Sequence, residues 1–121
     1  MKMKFQHTDT DLPIENEYPK LIRDKIPEII ANNGRKAAVK TIADDEEYAE
    51  FLLKKVVEEA AELAQTHDDT HLVEEAADVY EVIDALLTLK GLTREDVISV
   101  QDEKRSERGG FEKRLLMLHN D

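Results

Sequence analysis

The chain of 121 residues contains no cysteine and no tryptophan, and it has only four glycines and three prolines. Without cysteine there can be no disulfide, thiolate zinc site, iron–sulfur cluster or cysteine nucleophile. No apolar run approaches the roughly 20 residues of a membrane-spanning helix, and the N-terminus lacks the long apolar stretch of a secretory signal. We therefore expect a soluble cytoplasmic protein with no membrane partner.

Acidic residues dominate the charge of the chain. There are 28 Asp and Glu against 17 Lys and Arg, which gives a formal net charge of −11. An acidic surface repels the phosphates of nucleic acids, so we expect no nucleic-acid partner. The length fits a single domain. Residues 1–17 are polar and aperiodic and form an N-terminal extension, either disordered or packed on the body, and residues 18–121 form the domain.

Because glycine and proline are scarce after the first quarter of the chain, the periodicity predicts long helices. Residues 37–42 fit either an extended connector or one edge strand, and residues 111–118 are apolar enough to dock on the body. The predicted fold is all-α, a helical bundle built on a long antiparallel hairpin of the second and third helices and completed by dimerisation. The predicted helices cover residues 23–33, 44–66, 70–90 and 93–108.

Two pairs of acidic residues stand out on the two longest helices. Glu59 with Glu62, and Glu75 with Asp78, are each three residues apart, so each pair shares a helix face. The pairs are symmetric about the predicted turn. We therefore expect Glu62 to face Glu75 and Glu59 to face Asp78, with four carboxylates converging between the helices.

The position of these acids on the helical wheel suggests a metal site. Glu75 falls inside the apolar arc of its helix, and Asp78 lies at the edge of that arc. Clustered carboxylates repel one another and destabilise a fold unless something compensates. A divalent cation does so, and an all-oxygen site suits Mg²⁺, or Mn²⁺ in its place. The alternative is that these acids only decorate solvated helix faces. We interpret His67 and His71 as surface residues.

Basic residues concentrate in two short windows, around residues 20–25 and 104–114. Arg and Lys beside a magnesium cluster suit a polyphosphate ligand. For the second window the alternative is a helix C-terminus, where cations offset the helix dipole without any other function. The candidate phosphate-binding residues are Lys20, Arg23, Lys25, Lys104, Arg105 and Arg108.

Three segments carry a resemblance to a known family. Glu58-Glu59-Ala60-Ala61-Glu62 followed by Glu75-Ala76-Ala77-Asp78 resembles the EExxE…ExxD signature of the MazG-like all-α nucleoside triphosphate pyrophosphohydrolases. The segment YPKLIRDKIPEII at residues 18–30 and the segment KRSERGGF at residues 104–111 resemble the opening and closing motifs of its phosphoribosyl-ATP-pyrophosphohydrolase-like branch. The resemblance covers about residues 18–115 and leaves the N-terminal extension outside.

The resemblance implies Mg²⁺-dependent hydrolysis of a nucleoside triphosphate to a monophosphate and pyrophosphate, in a role such as removing unwanted nucleotides. It also implies a homodimer or homotetramer. By motif position Glu58 is a further acid, either a metal ligand through water or a base. In the mechanism that follows, Glu58 or Glu62 is the candidate catalytic residue that would help to deprotonate the attacking water. The implied metal ligands are Glu59, Glu62, Glu75 and Asp78.

Two other functions stay open. The chain could be a non-catalytic helical module that binds a metal or a protein partner through its acids, or it could hydrolyse phosphoribosyl-ATP itself. Dimerisation has an independent argument, because Phe51, Val57 and Leu89 lie away from the main apolar stripes of their helices and a partner would bury them.

Overall fold

The computed structural model describes residues 18–121, and within that range it is all-helical, with no strand. The all-α prediction is therefore confirmed, and residues 37–42 form a connector rather than an edge strand. No helix among the described residues is long and apolar enough to cross a membrane. The predicted N-terminal extension lies outside the described residues. The helices are α1 (Ile26–Asn32), α2 (Asp45–Ala64), α3 (Asp69–Leu89) and α4 (Arg94–Arg108).

Polar side chains fix the starts of the three long helices. Asp44 accepts a hydrogen bond of 2.8 Å from the backbone N–H three residues on, and Asp68 does the same at 2.9 Å. Thr93 and Asp96 form a reciprocal capping box at the start of α4. Each cap satisfies backbone donors that the first turn of a helix leaves unpaired. The long helices consequently begin within a residue or so of their predicted starts.

The main packing contact joins α2 and α3, which are connected by residues 65–68. Among the described helices, no other pair packs extensively. The buried apolar side chains of the described residues are Leu52, Ala61 and Val82, a small core for a chain of this length. α4 has no buried residue. It is held to α3 by Arg94, whose Nε and Nη2 each donate a 2.8 Å hydrogen bond to Asp84.

The prediction that residues 111–118 dock on the body is wrong. Phe111 is 96% exposed, and the large apolar residues that follow it are nearly as exposed. Two local features account for the difference. Gly109 turns the chain with a φ of +81°, and Arg105 pairs with Glu112 at the exit from α4. The segment is thereby held off its own helices.

Candidate functional site

The site begins with two buried carboxylates on α2. Glu58 is 7% exposed and Glu59 is 8% exposed, although buried acids are rare unless they are paired. Lys55, one helical turn earlier, supplies a partner. Its Nζ lies 3.1 Å from Glu58 Oε1 and 3.7 Å from Glu59 Oε1. Sequence reasoning did not place Lys55 in the site, although its spacing of three and four residues from these acids was a visible signal.

Carboxylate oxygens gather in two overlapping groups within the described residues. Glu58, Glu59 and Glu62 form one group, and Glu59 forms the other with Glu75 and Asp78. In each group the candidate ligand oxygens lie within 4.8 Å of one another. Glu59 thus links the acids of α2 to those of α3. The two groups together contain all five acids singled out in the sequence.

The pairing across the helices differs in part from the prediction. Glu59 does approach Asp78, and Glu75 joins these two residues in one group, while the pairing of Glu62 with Glu75 stays a prediction. The connection between the helices explains the shift. This connection spans residues 65–68. Its centre therefore lies earlier in the chain than the point between Asp68 and Asp69, about which the two predicted pairs are symmetric. An earlier turn moves Glu75 toward Glu59.

Glu75 has the least favourable surroundings of the five acids. Its Oε2 is buried and has no hydrogen-bond partner. Burial raises the pKa of Glu75, and the negative charges of Asp78 and Glu59 raise it further. An unpaired buried carboxylate oxygen facing other carboxylates destabilises the ionised form. A hard divalent cation would satisfy that oxygen, and the all-oxygen donor set fits Mg²⁺ or Mn²⁺.

One of the predicted phosphate-binding residues reaches the acidic groups. Arg23, in the segment before α1, donates a 2.6 Å hydrogen bond from Nη2 to Asp78 Oδ1. Lys20 is half-buried, with Nζ 5.4 Å from the centre of the Tyr18 ring, and Lys25 is exposed at the start of α1. Arg23 is therefore a predicted phosphate-binding residue that lies at the carboxylates, beside the acids that Lys55 pairs with.

The second basic window has local surroundings on α4. Arg105 donates to Glu112, a residue just beyond the end of the helix. Lys104 lines a groove between α3 and α4, and Arg108 is the exposed last residue of α4. The role of these three residues in binding a substrate stays a prediction.

The turn between α2 and α3 bears out the interpretation of His71 as a surface residue. His71 is exposed, and its Nδ1 lies 2.7 Å from Asp68 Oδ2. The hydrogen bond and the charge of Asp68 raise the pKa of His71. The backbone N–H and the ring of His71 in turn lower the pKa of Asp68. The pair stabilises the start of α3, and His67 is also exposed.

The chain is similar to a known protein over part of its length only. No family model matches the chain, and no solved structure matches it. An uncharacterized protein of Mycolicibacterium smegmatis is 48% identical over 50 residues, which are 40% of this chain and 50% of that protein. The match thus spans about half the length of that relative. It shows neither a family nor an activity.

Proposed function

We propose that this chain is a Mg²⁺-dependent nucleoside triphosphate pyrophosphohydrolase of the MazG-like kind, which releases a monophosphate and pyrophosphate. The observation that carries the proposal is the group formed by Glu59, Glu75 and Asp78, in which a buried oxygen of Glu75 has no partner. The motif resemblance supplies the reaction class. The carboxylate oxygens of this group supply the kind of ligands that a Mg²⁺-dependent hydrolysis requires.

Four carboxylates would hold the cation, namely Glu59, Glu62, Glu75 and Asp78. When bound, Mg²⁺ or Mn²⁺ neutralises phosphate charge and lowers the pKa of a coordinated water. Burial of Glu59 and the raised pKa of Glu75 both favour occupation by a cation over an empty acidic cluster.

The remaining residues of the site act on the proton and the phosphates. Glu58 or Glu62 accepts the proton of the attacking water, as both lie in the group with Glu59. Arg23 can turn from Asp78 to a phosphate oxygen, since its side chain is largely exposed. A guanidinium beside the phosphates stabilises the charge that redistributes in the transition state.

A second copy would complete the fold. We propose that α2 and α3 form an antiparallel hairpin that pairs with another chain to make the bundle, as a homodimer or homotetramer. The small core supports this, because the described residues bury only three apolar side chains, Leu52, Ala61 and Val82. Two-fold dimers are the commonest arrangement for such chains.

A panel of nucleoside triphosphates assayed with Mg²⁺ tests the activity. We expect pyrophosphate and a monophosphate as products. Glu59→Gln and Asp78→Asn should each lower turnover by about 100-fold or more, because the cation provides several kcal/mol of transition-state stabilisation. Glu50→Gln is the matched control, an exposed glutamate of the same helix. Orthophosphate as the product, or full turnover in the Glu59 variant, contradicts the proposal.

One observation favours a non-catalytic module as the second candidate. Arg105, a proposed phosphate ligand, is already paired with Glu112. Thermal unfolding separates the two candidates. A slowly hydrolysed triphosphate should stabilise an enzyme only when Mg²⁺ is present, whereas a module that binds metal alone responds to Mg²⁺ and not to nucleotide. Phosphoribosyl-ATP belongs in the same panel, because its preferred hydrolysis would assign the histidine-pathway type of activity.

A further inference from the structure

The segment after α4 carries an unusual amount of exposed apolar surface. We call residues 111–118 the C-terminal arm. Monomeric proteins rarely expose contiguous apolar patches of more than a few hundred Å². The large apolar side chains of the arm are all at least 76% exposed: Phe111, Leu115, Leu116, Met117 and Leu118.

The direction in which the arm leaves α4 is built into the backbone. Gly109 has φ +81° and ψ 176°, a region that is essentially restricted to glycine. Gly110 lies against the ion pair between Arg105 and Glu112. A Cβ added at Gly110 would come 2.5 Å from Glu112 Oε1 and 3.1 Å from Arg105 Nη1. The two glycines therefore permit both the turn and the ion pair that hold the arm away from its own helix.

A groove of matching chemistry lies between the end of α3 and α4. Its volume is about 530 Å³, and none of the five acids of the candidate metal site lines it. Its floor is apolar, with an acid and a lysine among the lining residues. The residues that matter for the argument are Leu87, Leu92, Val97 and Val100 in the floor, together with Asp96 and Lys104.

We propose that the C-terminal arm of one copy docks in the α3–α4 groove of a second copy, and that the exchange is reciprocal. The proposal does not rest on the hydrolase activity. Because the same chain carries both the apolar arm and the apolar groove, two copies related by a two-fold axis satisfy both surfaces at once.

Charge favours a second copy of this chain as the occupant. Lys113 and Arg114 make the arm basic on balance, since Glu112 is its only acid. Residues 44–84, in contrast, contain 15 acids and only two lysines, and the chain as a whole has a net charge of −11. A basic arm is therefore attracted to the acidic body of another copy, while the groove itself offers one acid, Asp96, and one base, Lys104.

The area of the contact is sufficient for a stable dimer. The arm offers one phenylalanine, which buries about 150 Å², and four aliphatic side chains, which bury roughly 100 Å² each. The sum is more than half of the roughly 800 Å² per partner of a standard protein interface, before the walls of the groove are counted. Reciprocal docking adds the same area again for the second arm.

Light scattering on the full chain gives the first test. We expect a dimer at micromolar concentration, and we expect Leu115→Asp with Leu116→Asp to raise the concentration at which the dimer dissociates by at least about tenfold, with unchanged helical circular dichroism. Val39→Asp is the matched control, since Val39 is a 57% exposed apolar residue of the connector before α2, outside the groove, and its substitution should leave dimer dissociation unchanged. A monomeric native chain, with the arm covered by residues 1–17 or left free, overturns the proposal. A dimer that dissociates at the same concentration with and without the double substitution also overturns it.

Cross-linking identifies the partner of the arm. The chain has no cysteine, so Leu116→Cys combined with Val100→Cys introduces the only two thiols. Oxidation or a short bifunctional maleimide should give covalent dimers, and mixing the two single-cysteine chains should give a cross-linked heterodimer. Intrachain links alone would mean that the arm folds back on its own groove. That result, or no link at all, refutes the exchange.

Discussion

Arg23 Nη2 lies 2.6 Å from Asp78 Oδ1, although 55 positions separate the two residues in the sequence. The contact joins two motifs that were singled out independently, the basic segment before α1 and the second acidic pair on α3. A guanidinium at this place offsets part of the negative charge that the five acids concentrate. A cation bound at the carboxylates and a phosphate bound at Arg23 would each weaken the ion pair between Arg23 and Asp78. The binding of one ligand would therefore change the affinity for the other.

Arg23→Gln should separate metal binding from nucleotide binding. Loss of the guanidinium removes a positive charge beside Asp78, so Mg²⁺ alone should bind more tightly. The KM for the triphosphate should rise about tenfold, because a hydrogen bond to a charged group contributes about 1.5 kcal/mol. Calorimetric titration with Mg²⁺ and steady-state kinetics measure the two effects. Arg35→Gln, an exposed arginine just after α1, should change neither.

Lys55→Met should destabilise the protein in the presence of a chelator. Lys55 forms ion pairs with the buried Glu58 and Glu59, and removing its ammonium group leaves these two carboxylates without that cation. Each buried charged group that loses its partner costs about 2 kcal/mol. Chemical denaturation in EDTA checks the loss, and added Mg²⁺ should restore more stability to the variant than to the native chain.

Lys54→Met is the control for that experiment. Lys54 is exposed, with Nζ 5.4 Å from the centre of the Phe51 ring, and its removal should have little effect on unfolding. Equal losses in the two variants would mean that general helix electrostatics, and not the pairing with Glu58 and Glu59, accounts for the role of Lys55.

Local signals in the sequence were enough to predict the helices. Capping residues such as Asp44 and Thr93 act within one turn, and the apolar periodicity of α2 and α3 needs no information from elsewhere in the chain. The all-α class and the starts of the long helices followed from these signals. The association of Glu59 with Asp78 also emerged, because it depended only on two helices joined by a short connection.

Features that depend on tertiary geometry were not predictable. The neighbour of Glu75 depended on where the connection between the helices ends, and the sequence did not fix that position to within two residues. The apolar content of residues 111–118 suggested docking. The backbone conformation of Gly109 and the pair between Arg105 and Glu112 redirect that segment. Apolar composition alone therefore does not predict that a segment packs on its own chain.

Arg94→Gln should loosen α4 without disturbing the rest of the fold. Arg94 donates two hydrogen bonds to Asp84 and lies 5.2 Å from the centre of the Tyr80 ring, while α4 has no buried residue. Hydrogen exchange should become faster in α4 and stay unchanged in α2. Arg108→Gln is the control at the far end of the helix. Equal exchange in α4 of the native and Arg94 variants would show that this contact does not anchor the helix.

Glu75→Gln should stabilise the protein when metal is removed, and the effect should depend on pH. Burial and the charges of Asp78 and Glu59 raise the pKa of Glu75 above its ordinary value of 4.5. Between the unfolded and folded pKa values the native state binds more protons, so the free energy of unfolding falls as pH rises through that window. The ionised Glu75 carboxylate destabilises the native state fully at pH values above its pKa in the folded chain. The effect vanishes at pH values below its pKa in the unfolded chain.

The variant should therefore be more stable than the native chain at pH 7 in EDTA, by about 1 kcal/mol for one unsatisfied buried group. The advantage should disappear below pH 4.5, where Glu75 is protonated in both states. With saturating Mg²⁺ at pH 7 the native chain should instead be more stable than the variant. The carboxylate of Glu75 can bind the cation, and a glutamine amide binds it poorly. Glu81→Gln, at an exposed site on α3, controls for net charge. If the Glu75 variant were less stable than the native chain in EDTA at pH 7, repulsion among the carboxylates would not destabilise the native state. The electrostatic argument for a bound cation at Glu75 would then be wrong.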